Sequence, residues 1–352
     1  MRHVELFSGI GGFRQAMRLL TRDGGPEFDC VGYSEIDAAA DSTYRANFDV
    51  ANETVIGDIA AFVEDAERMD GLRQFNLLTG GFPCQSFSMM GAQRGFEDTR
   101  GTLFFSMARL IDRRRPTYLL LENVKNLKTH DGGNTYRVIE QTLRDMGYEV
   151  WSDIFNTSNY GLAQTRNRIY IFATNRRIPR KFQFAEMRVR EHFNGLRNTS
   201  LQHQNSTTDV LRLEVPEKYY LSDRLKRTIL ANGSGGFVAK SEIDLATARP
   251  LCATMAKMHR ACQDNYFSSR YITSHGRRRY AGGVVGAEGV RIRRLLPEEA
   301  FALQGFDPAF VANSRAQFGT ADCSLYKQAG NAVSVNVVYG ILSYLADSFN
   351  WR

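Results

Sequence analysis

Short apolar runs that end at glycine or at a polar residue recur along the first half of this 352-residue chain, and this repeat most limits its fold. The strand-like runs are 4–6, 75–79, 118–121 and 169–173, and the helical stretches among them include 14–20, 102–113 and 134–146. Alternating strand, turn and helix signals of this kind are typical of an α/β fold with a doubly wound, mostly parallel sheet.

Chemically useful side chains follow or precede several of these runs. Cys84 lies in the string GGFPCQSFS, in a turn directly after the run 75–79, and Glu122 directly follows 118–121. Arg166 and Arg168 directly precede 169–173. Ligands bind at the carboxyl edge of open parallel sheets, so these positions favour chemistry. Each residue alone is explained as well by an ordinary structural role, since a free cysteine is usually a small buried side chain.

The first strand-like run leads into the glycine-rich string FSGIGGF at 7–13. Glycine lets a ligand approach the backbone closely. Glu35 follows after about as many residues as separate the glycine-rich turn of nucleotide-binding units from the acid that binds the ribose hydroxyls. Asp58 adds an acid after a third candidate strand. The glycine spacing differs from the dinucleotide pattern G-x-G-x-x-G, so a hydride-transfer enzyme fits poorly.

Five strings, taken in order, resemble the motifs of the DNA (cytosine-5) methyltransferases, and the chain is similar in layout to the bacterial restriction-modification members. They are FSGIGGF, GGFPCQSFS, LLENVKNL, QTRNRIYIF and YKQAGNAV, and they span almost the whole chain. Two positions depart from the family pattern: Glu5 stands where Asp is common, and Ala332 where many members have Ser.

The resemblance implies the S-adenosylmethionine-dependent methyltransferase fold with a second, smaller target-recognition domain. We predict a catalytic and cofactor-binding domain at 1–180 plus 322–352. The target-recognition domain is predicted at 181–321, and the apolar helix expected at 331–345 returns the chain to the first domain.

The resemblance also implies a reaction in which Cys84 adds to carbon 6 of a cytosine flipped out of the duplex. Glu122 would bind the ring N3 and the exocyclic amine, and Arg166 and Arg168 would face the base O2. A structural pairing of Arg168 with Glu122 is the alternative. Carbon 5 then takes a methyl group from S-adenosylmethionine, and a base that the sequence does not identify removes the carbon 5 proton.

Carried over in the same way, a set of residues near the glycine-rich turn and the last motif would bind S-adenosylmethionine. They are Phe7, Ser8, Gly9, Ile10, Gly11, Gly12, Glu35, Ile36, Asp58, Ile59, Pro83, Leu103, Asn331 and Ala332. The glycine-containing segment 86–101 is predicted to close over the DNA. The predicted DNA-binding residues are Ser88, Arg94, Arg100, Arg277, Arg278 and Arg279.

The composition favours a polyanionic partner, because 45 Lys and Arg against 38 Asp and Glu give a net charge of +7. Five cysteines without C-x-x-C spacing indicate a reducing compartment and no zinc site. The sequence begins without a secretory apolar segment. We therefore expect a cytoplasmic, metal-free monomer that acts on double-stranded DNA, functionally paired with a restriction endonuclease.

Two other functions stay open at this stage. The first is the related enzyme class that methylates cytosine in tRNA, which the substantial basic segment between Arg180 and Arg291 disfavours. The second is a catalytically silent DNA-binding protein on the same scaffold. Such a protein would be expected to lack Cys84, Glu122 or the two arginines, and all four are present.

Overall fold

The structure is a computed structural model that describes residues 1–83, 103–232, 239–280, 287 and 289–351. Cys84 and the whole segment 86–101, with Ser88, Arg94 and Arg100, therefore lie outside the described residues. The chain forms two compact units. The first comprises Met1–Asn156, Asn167–Ser200 and Val337–Arg352, and the second Thr157–Arg166 and Leu201–Asn336. Residues 181–200 thus belong to the sheet unit and residues 322–336 to the second unit. The domain bounds expected from the motifs stay a prediction.

A seven-stranded sheet in the order β3-β2-β1-β4-β5-β7-β6 organises the described part of the first unit. The strands are β1 Arg2–Leu6, β2 Asp29–Tyr33, β3 Thr54–Val55, β4 Leu77–Gly81, β5 Tyr118–Val124, β6 Glu149–Asn156 and β7 Asn167–Thr174. Neighbours from β3 to β5 pair in parallel, whereas β7 is antiparallel to both β5 and β6. The predicted mostly parallel α/β sheet of the methyltransferase fold is confirmed.

Helices connect the parallel strands, and several begin at a residue whose side chain caps the helix. Asp37 accepts hydrogen bonds from the first amides of the helix Ala38–Asn47, and Asp58 and Asp65 do the same for the helices Ile59–Phe62 and Ala66–Gly71. The helices of this unit are α1 Gly12–Arg22, α2 Ala38–Asn47, α3 Ile59–Phe62, α4 Ala66–Gly71, α5 Leu103–Arg114, α6 Asn134–Asp145, α7 Glu186–Gly195 and, from Val337 onward, α13 Val335–Phe349.

Apolar side chains cover both faces of the sheet. On one face, alternate residues of β5 and β7, such as Leu119 and Ile171, join the buried cluster that includes Phe104 of α5. On the other face, the Tyr118 ring of β5 lies 5.4 Å from the Phe349 ring of α13. Burial on both faces explains why these strands read as nearly continuous apolar runs in the sequence.

The second unit contains α8 Asp223–Ile229, β8 Tyr266–Ser268, α9 Ser269–Thr273, β9 Ile292–Arg294, α10 Pro297–Ala302, α11 Ala309–Phe318 and α12 Asp322–Asn331. Its small core groups Ile229, Tyr266 and Ile292. A fully buried Arg293–Glu299 ion pair, at 2.8 Å, lies at the start of α10. Glu299 also accepts the amides of Arg212 and Leu296, so the paired charges keep hydrogen-bond partners.

In the described part of the chain, the stretch Asp322–Phe349, which contains α12 and α13, is long and apolar enough to cross a membrane. In its most apolar window 83% of the residues are buried inside the protein. Its apolar side chains are therefore accounted for by packing within the fold.

Candidate active site

Glu122 lies near the carboxyl end of β5, between Gly81 of β4 and Tyr170 of β7. A side chain at Gly81 would begin 3.2 Å from a Glu122 carboxylate oxygen, so glycine leaves room for that carboxylate. The backbone after Gly81 is held by Asn123, whose amide donates to the Phe82 carbonyl at 2.8 Å. This bond fixes the chain two residues before Cys84.

Arg168 forms an ion pair with Glu122, and its Nε lies 3.1 Å from the carboxylate Oε1. In the β5–β7 register Arg168 is opposite Val124 and Tyr170 is opposite Glu122, so the two charged residues are diagonal neighbours on one face. The Arg168 side chain is 20% exposed and that of Glu122 10%. A half-enclosed carboxylate beside a guanidinium can exchange hydrogen bonds with a bound base.

Arg166 belongs to the second unit and is only 2% exposed. Its guanidinium donates to the carbonyl oxygens of Leu251, Gly330 and Ala332 at 3.0, 3.0 and 2.9 Å. It therefore joins the loop before β7, the 251 segment and the end of α12. The two predicted catalytic arginines thus have different surroundings, a carboxylate for Arg168 and backbone carbonyls for Arg166.

The glycine-rich turn after β1 is tied to the residues after β2. Gly9 donates its amide to Glu35 at 2.8 Å, and the other Glu35 oxygen accepts the amides of Ile36 and Asp37 at 2.8 and 2.7 Å. Three backbone donors thereby orient the carboxylate. The Ile36 side chain is 74% exposed, which leaves an apolar surface beside that carboxylate.

The other residues of this turn that are predicted to bind the methyl donor differ in their exposure to solvent. Ser8 is 6% exposed, and its hydroxyl oxygen has no hydrogen-bond partner among the described residues. Phe7 has a φ of 52°, a left-handed conformation that costs a non-glycine residue about 1–2 kcal/mol. Such strain is concentrated at functional sites. The remaining turn residues are Ile10, which is buried, and Gly11 and Gly12, where α1 begins.

The third strand end presents an exposed acid beside a buried apolar residue. Asp58 is exposed and caps α3 through the Ala60 amide at 2.9 Å, whereas Ile59 is 1% exposed in the sheet core. Ser34, which sequence reasoning missed, links this edge to β2 by donating to the Gly57 carbonyl at 2.6 Å. A hydroxyl directly before Glu35 was its only sequence signal.

The other predicted binding residues lie at element ends. Pro83 is exposed after β4, and Leu103 begins α5 and packs against the sheet core. In the second unit, Asn331 is the exposed last residue of α12 and Ala332 is 8% exposed. The Ala332 carbonyl accepts from Arg166, so its backbone rather than its side chain carries the contact.

A buried group of ionisable side chains lies beneath the glycine-rich turn, on β1 and its neighbours. Glu5 is fully buried, and burial raises its pKa to about 8, opposed by Arg14 and by a hydrogen bond from Tyr44. Burial, together with Arg14, lowers the pKa of His3 to about 3. Glu53, whose own pKa is raised by burial, pairs with Arg14 at 2.5 Å. Glu5 is therefore mainly a neutral acid at pH 7.

Within the part of the chain that the structure describes, there is no group of three or more His, Cys, Asp and Glu side chains with the arrangement of a metal site. The acids at the sheet edge are instead engaged with backbone amides or with arginine. The described geometry thus offers a carboxylate–guanidinium pair at the sheet edge and a separate carboxylate oriented by backbone donors.

Comparison with known proteins matches residues 1–346 to the family described as C-5 cytosine-specific DNA methylase. The type II methyltransferase M.HpaII of Haemophilus parainfluenzae is 36% identical, over 95% of this chain and 86% of the relative. M1.ScrFI of Lactococcus lactis subsp. cremoris, also a type II methyltransferase, is 33% identical over 96% and 76%. The S. pombe Dnmt2 methyltransferase structure aligns over 99% of both chains with a TM-score of 0.74 and 19% identity.

Proposed function

Because the chain belongs to the C-5 cytosine-specific DNA methylase family and is therefore a DNA cytosine-5 methyltransferase, we propose that it methylates one cytosine within a short duplex recognition sequence. The observation that carries this proposal is the Glu122–Arg168 ion pair beside the end of β4, the strand that leads to Cys84. The family and fold imply a methyl donor of the S-adenosylmethionine type.

In the proposed reaction the target base leaves the duplex and the Cys84 thiolate forms a bond to carbon 6. The π electron pair of the C5=C6 double bond shifts between C5 and C4, the C4=N3 π pair shifts to N3, and N3 shares a proton with the Glu122 carboxyl. Arg168 keeps that carboxyl oriented and offers positive charge near the exocyclic O2 of the base. The ring becomes enamine-like, and carbon 5 becomes nucleophilic.

S-adenosylmethionine would supply an electrophilic methyl group to carbon 5. The methyl–sulfur bond would break with its electron pair left on sulfur, so that S-adenosylhomocysteine is the leaving group. Loss of the carbon 5 proton then restores the double bond, the sulfur–carbon 6 bond breaks, and the electron pair returns to the Cys84 sulfur. No described side chain is assigned as the base for this proton.

We assign the donor to the cradle formed by the glycine-rich turn, Glu35 and Asp58. Two features of the chain support the fit: the buried Ser8 hydroxyl that has no partner among the described residues, and the exposed Ile36 beside an oriented carboxylate. Glu35 would accept ribose hydroxyls and Ile36 would pack on the adenine. Asp58 would accept from the exocyclic amine of the adenine. Asn331 and Ala332 stay candidate donor-binding residues on the motif resemblance alone.

The contacts of Arg166 support a different role from the one that the motif implies. Its guanidinium is buried and donates to three carbonyl oxygens, one of them that of Ala332. We therefore propose Arg166 as a positioning residue that fixes the backbone of the last motif, and Arg168 as the arginine that acts at the base.

The names of the relatives support the biological setting. Because M.HpaII and M1.ScrFI are type II methyltransferases, we propose that this enzyme is the modification partner of a restriction endonuclease. It would act in the cytoplasm as a monomer that methylates each DNA strand in turn. Exposed arginines of the second unit, including Arg277–Arg279, are proposed to bind the DNA.

The test is methylation of unmethylated genomic DNA by the purified protein with S-adenosylmethionine, followed by mapping of 5-methylcytosine at base resolution. A single short methylated motif is the expected result. A matched pool of unmodified tRNA serves as the competing substrate. Methylation of the tRNA but not of the DNA would favour the RNA enzyme class. Methylation of neither would favour a catalytically silent scaffold.

A further inference from the structure

Three consecutive arginines, Arg277–Arg279, lie in an exposed turn that connects α9 to Tyr280 in the second unit. We call residues 274–280 the basic turn. Among the described residues no carboxylate lies within ion-pair distance of these three arginines. The pKa of Glu242 is lowered mainly by Lys240, with which it forms an ion pair, and to a smaller degree by Arg279. Because that acid is paired with Lys240, the three arginines still present concentrated positive charge to solvent.

The backbone of the basic turn is ordered by its own residues. His275 and Gly276 have φ values of 48° and 81°, which reverse the chain after α9. The Arg278 amide donates to the Ser274 hydroxyl at 2.9 Å, and the Arg277 Nε donates to the Ser274 carbonyl at 3.1 Å. These bonds hold the first half of the turn against the end of α9.

Asp244 holds the other end of the basic turn from a buried position. It is fully buried and has a left-handed φ of 59°. Its carboxylate accepts the Tyr280 amide at 2.7 Å, and the Ser268 amide and hydroxyl at 2.6 Å each. The same Ser268 hydroxyl caps α9 by accepting the Tyr271 amide at 3.3 Å. One carboxylate therefore fixes the helix before the turn and the residue that closes it.

Arg270 braces the turn from α9. Its guanidinium donates to the Arg279 carbonyl at 2.5 Å and lies 5.2 Å from the centre of the Tyr280 ring. This cation uses its donors on the backbone of the turn, so it adds rigidity rather than an exposed contact. The direction of the three exposed arginines thus depends on two supports, the buried Asp244 and the exposed Arg270.

We propose that Asp244 is a positioning residue that holds the basic turn for contact with the phosphates of duplex DNA. This inference rests on the proposed function, because duplex DNA is the proposed substrate. Bidentate base reading requires a guanidinium fixed in one plane. No described hydrogen bond holds the guanidinium of Arg278 or Arg279, whereas phosphates accept guanidinium donors from many directions. The backbone of the turn is rigid while its side chains are adaptable, which suits phosphates.

The experiment measures the affinity of the full-length protein for a fluorescein-labelled duplex that carries the mapped recognition sequence, as a function of salt. Replacement of all three arginines by Ala should lower the slope of log affinity against log salt by about 2 to 3, at about 0.9 per phosphate. Asp244→Asn should lower the slope in the same direction, because an amide NH2 would face a backbone N–H. The combined variant should bind no worse than the triple variant.

Asp264→Asn is the matched control, since Asp264 is also a buried acid of the second unit and accepts the His259 amide at 2.7 Å. It should leave the salt slope unchanged. Ser268→Ala, which removes one bond to Asp244, replaces Asp244→Asn if the latter lacks a cooperative thermal transition. In turnover assays of the Asp244→Asn variant, KM for DNA should rise about tenfold, while kcat and the affinity for S-adenosylmethionine should stay near wild type.

Additive losses in the combined variant, or a wild-type salt slope in Asp244→Asn, would overturn the positioning role. A wild-type slope in the triple variant would overturn the phosphate contact. Both results leave the proposed function intact as long as the wild-type protein methylates the duplex. Absence of any methylated cytosine with the wild-type protein would instead reject the proposed function.

Discussion

Arg166 and Arg168 are two positions apart in one motif, yet the structure gives them opposite surroundings. Arg168 is 20% exposed and pairs with a carboxylate at the sheet edge, whereas Arg166 is buried and donates to three backbone carbonyls of the second unit. A charge that remains accessible can respond to a substrate, and a charge enclosed by carbonyls stabilises the backbone. Burial and partner type, not residue type, therefore separate chemistry from support.

The largest expected effect concerns the chemical side of this comparison. Cys84→Ala should abolish methyl transfer, because the Cys84 sulfur forms the bond to carbon 6 in the proposed mechanism, while DNA binding stays within a fewfold of wild type. Transfer of labelled methyl groups and fluorescence anisotropy measure the two properties. Cys323→Ala, at an exposed cysteine of α12, is the matched control with normal turnover. Sustained turnover by the Cys84 variant would reject the covalent mechanism.

Glu122→Gln tests the acid that pairs with Arg168. We expect kcat to fall by about 10²–10⁴-fold, the usual contribution of a general acid. The glutamine keeps the shape of the side chain, so S-adenosylmethionine affinity and thermal stability should change little. Glu140→Gln on α6 is the control, because Glu140 is an acid paired only with a surface arginine. A kcat within threefold of wild type would show that Glu122 has no acid role.

Replacing each arginine by Met should give crossed results. Arg166→Met should lower the free energy of unfolding by about 3–5 kcal/mol, because three buried carbonyls lose donors at about 1–3 kcal/mol each before relaxation. Arg168→Met should lower it by less than about 1 kcal/mol, as expected of a partly exposed pair.

When turnover is expressed per folded molecule, Arg168→Met should have the larger effect and Arg166→Met the smaller one. Arg168→Met should reduce kcat by about 10–10²-fold, because the charge beside the reacting base is lost. Urea unfolding and single-turnover rates, measured on both variants, provide the comparison. Equal stability losses in the two variants would remove the distinction between support and chemistry.

The smallest expected effect concerns Glu5, a buried acid that lies away from the proposed chemistry. Its pKa of about 8 exceeds the unfolded value of 4.5, so its contribution to stability is complete below pH 4.5 and is lost as pH rises to 8. His3, with a pKa lowered from 6.5 to about 3, acts in the opposite direction between pH 3 and 6.5.

The two contributions therefore oppose each other between pH 4.5 and 6.5, and of the two only Glu5 acts between pH 6.5 and 8. The wild-type free energy of unfolding should fall by about 2 kcal/mol over that range, at about 1.4 kcal/mol per pH unit. In Glu5→Gln the dependence should be nearly flat, as measured by urea unfolding at several pH values. An unchanged slope in the variant would assign the dependence to other groups.

Much of the first unit could be predicted from the sequence because local patterns determine it. The helix expected at 134–146 is observed as Asn134–Asp145, and the strand expected at 169–173 as Asn167–Thr174. The last helix begins at Val335 rather than at 331, because α12 continues to Asn331 before the chain turns. Glycine and amphipathic periodicity do not mark that break.

Long-range contacts set the features that the sequence did not reveal. The resemblance placed Arg166 and Arg168 together, but the partners of Arg166 are at 251, 330 and 332, far along the chain. Asp244 carries no motif, and its role depends on amides at 268 and 280. Neither burial nor a distant backbone partner can be inferred from neighbouring residues in one sequence. The assigned functions of the site residues stay predictions.

The antiparallel position of β7 beside β5 makes the spacing between Glu122 and Arg168 sensitive to single-residue changes in chain length. Side chains alternate along a strand, so sliding β7 by one residue against β5 would turn Arg168 to the opposite face and bring an uncharged neighbour to the carboxylate. An inserted residue inside β7 should therefore disable the site without unfolding the sheet. Residues 157–166, between β6 and β7, leave little room for an insertion either, because Tyr160, Gln164 and Arg166 are buried and the Thr157 amide donates to the Arg166 carbonyl. Chain length should therefore be constant among homologous chains from β6 through β7.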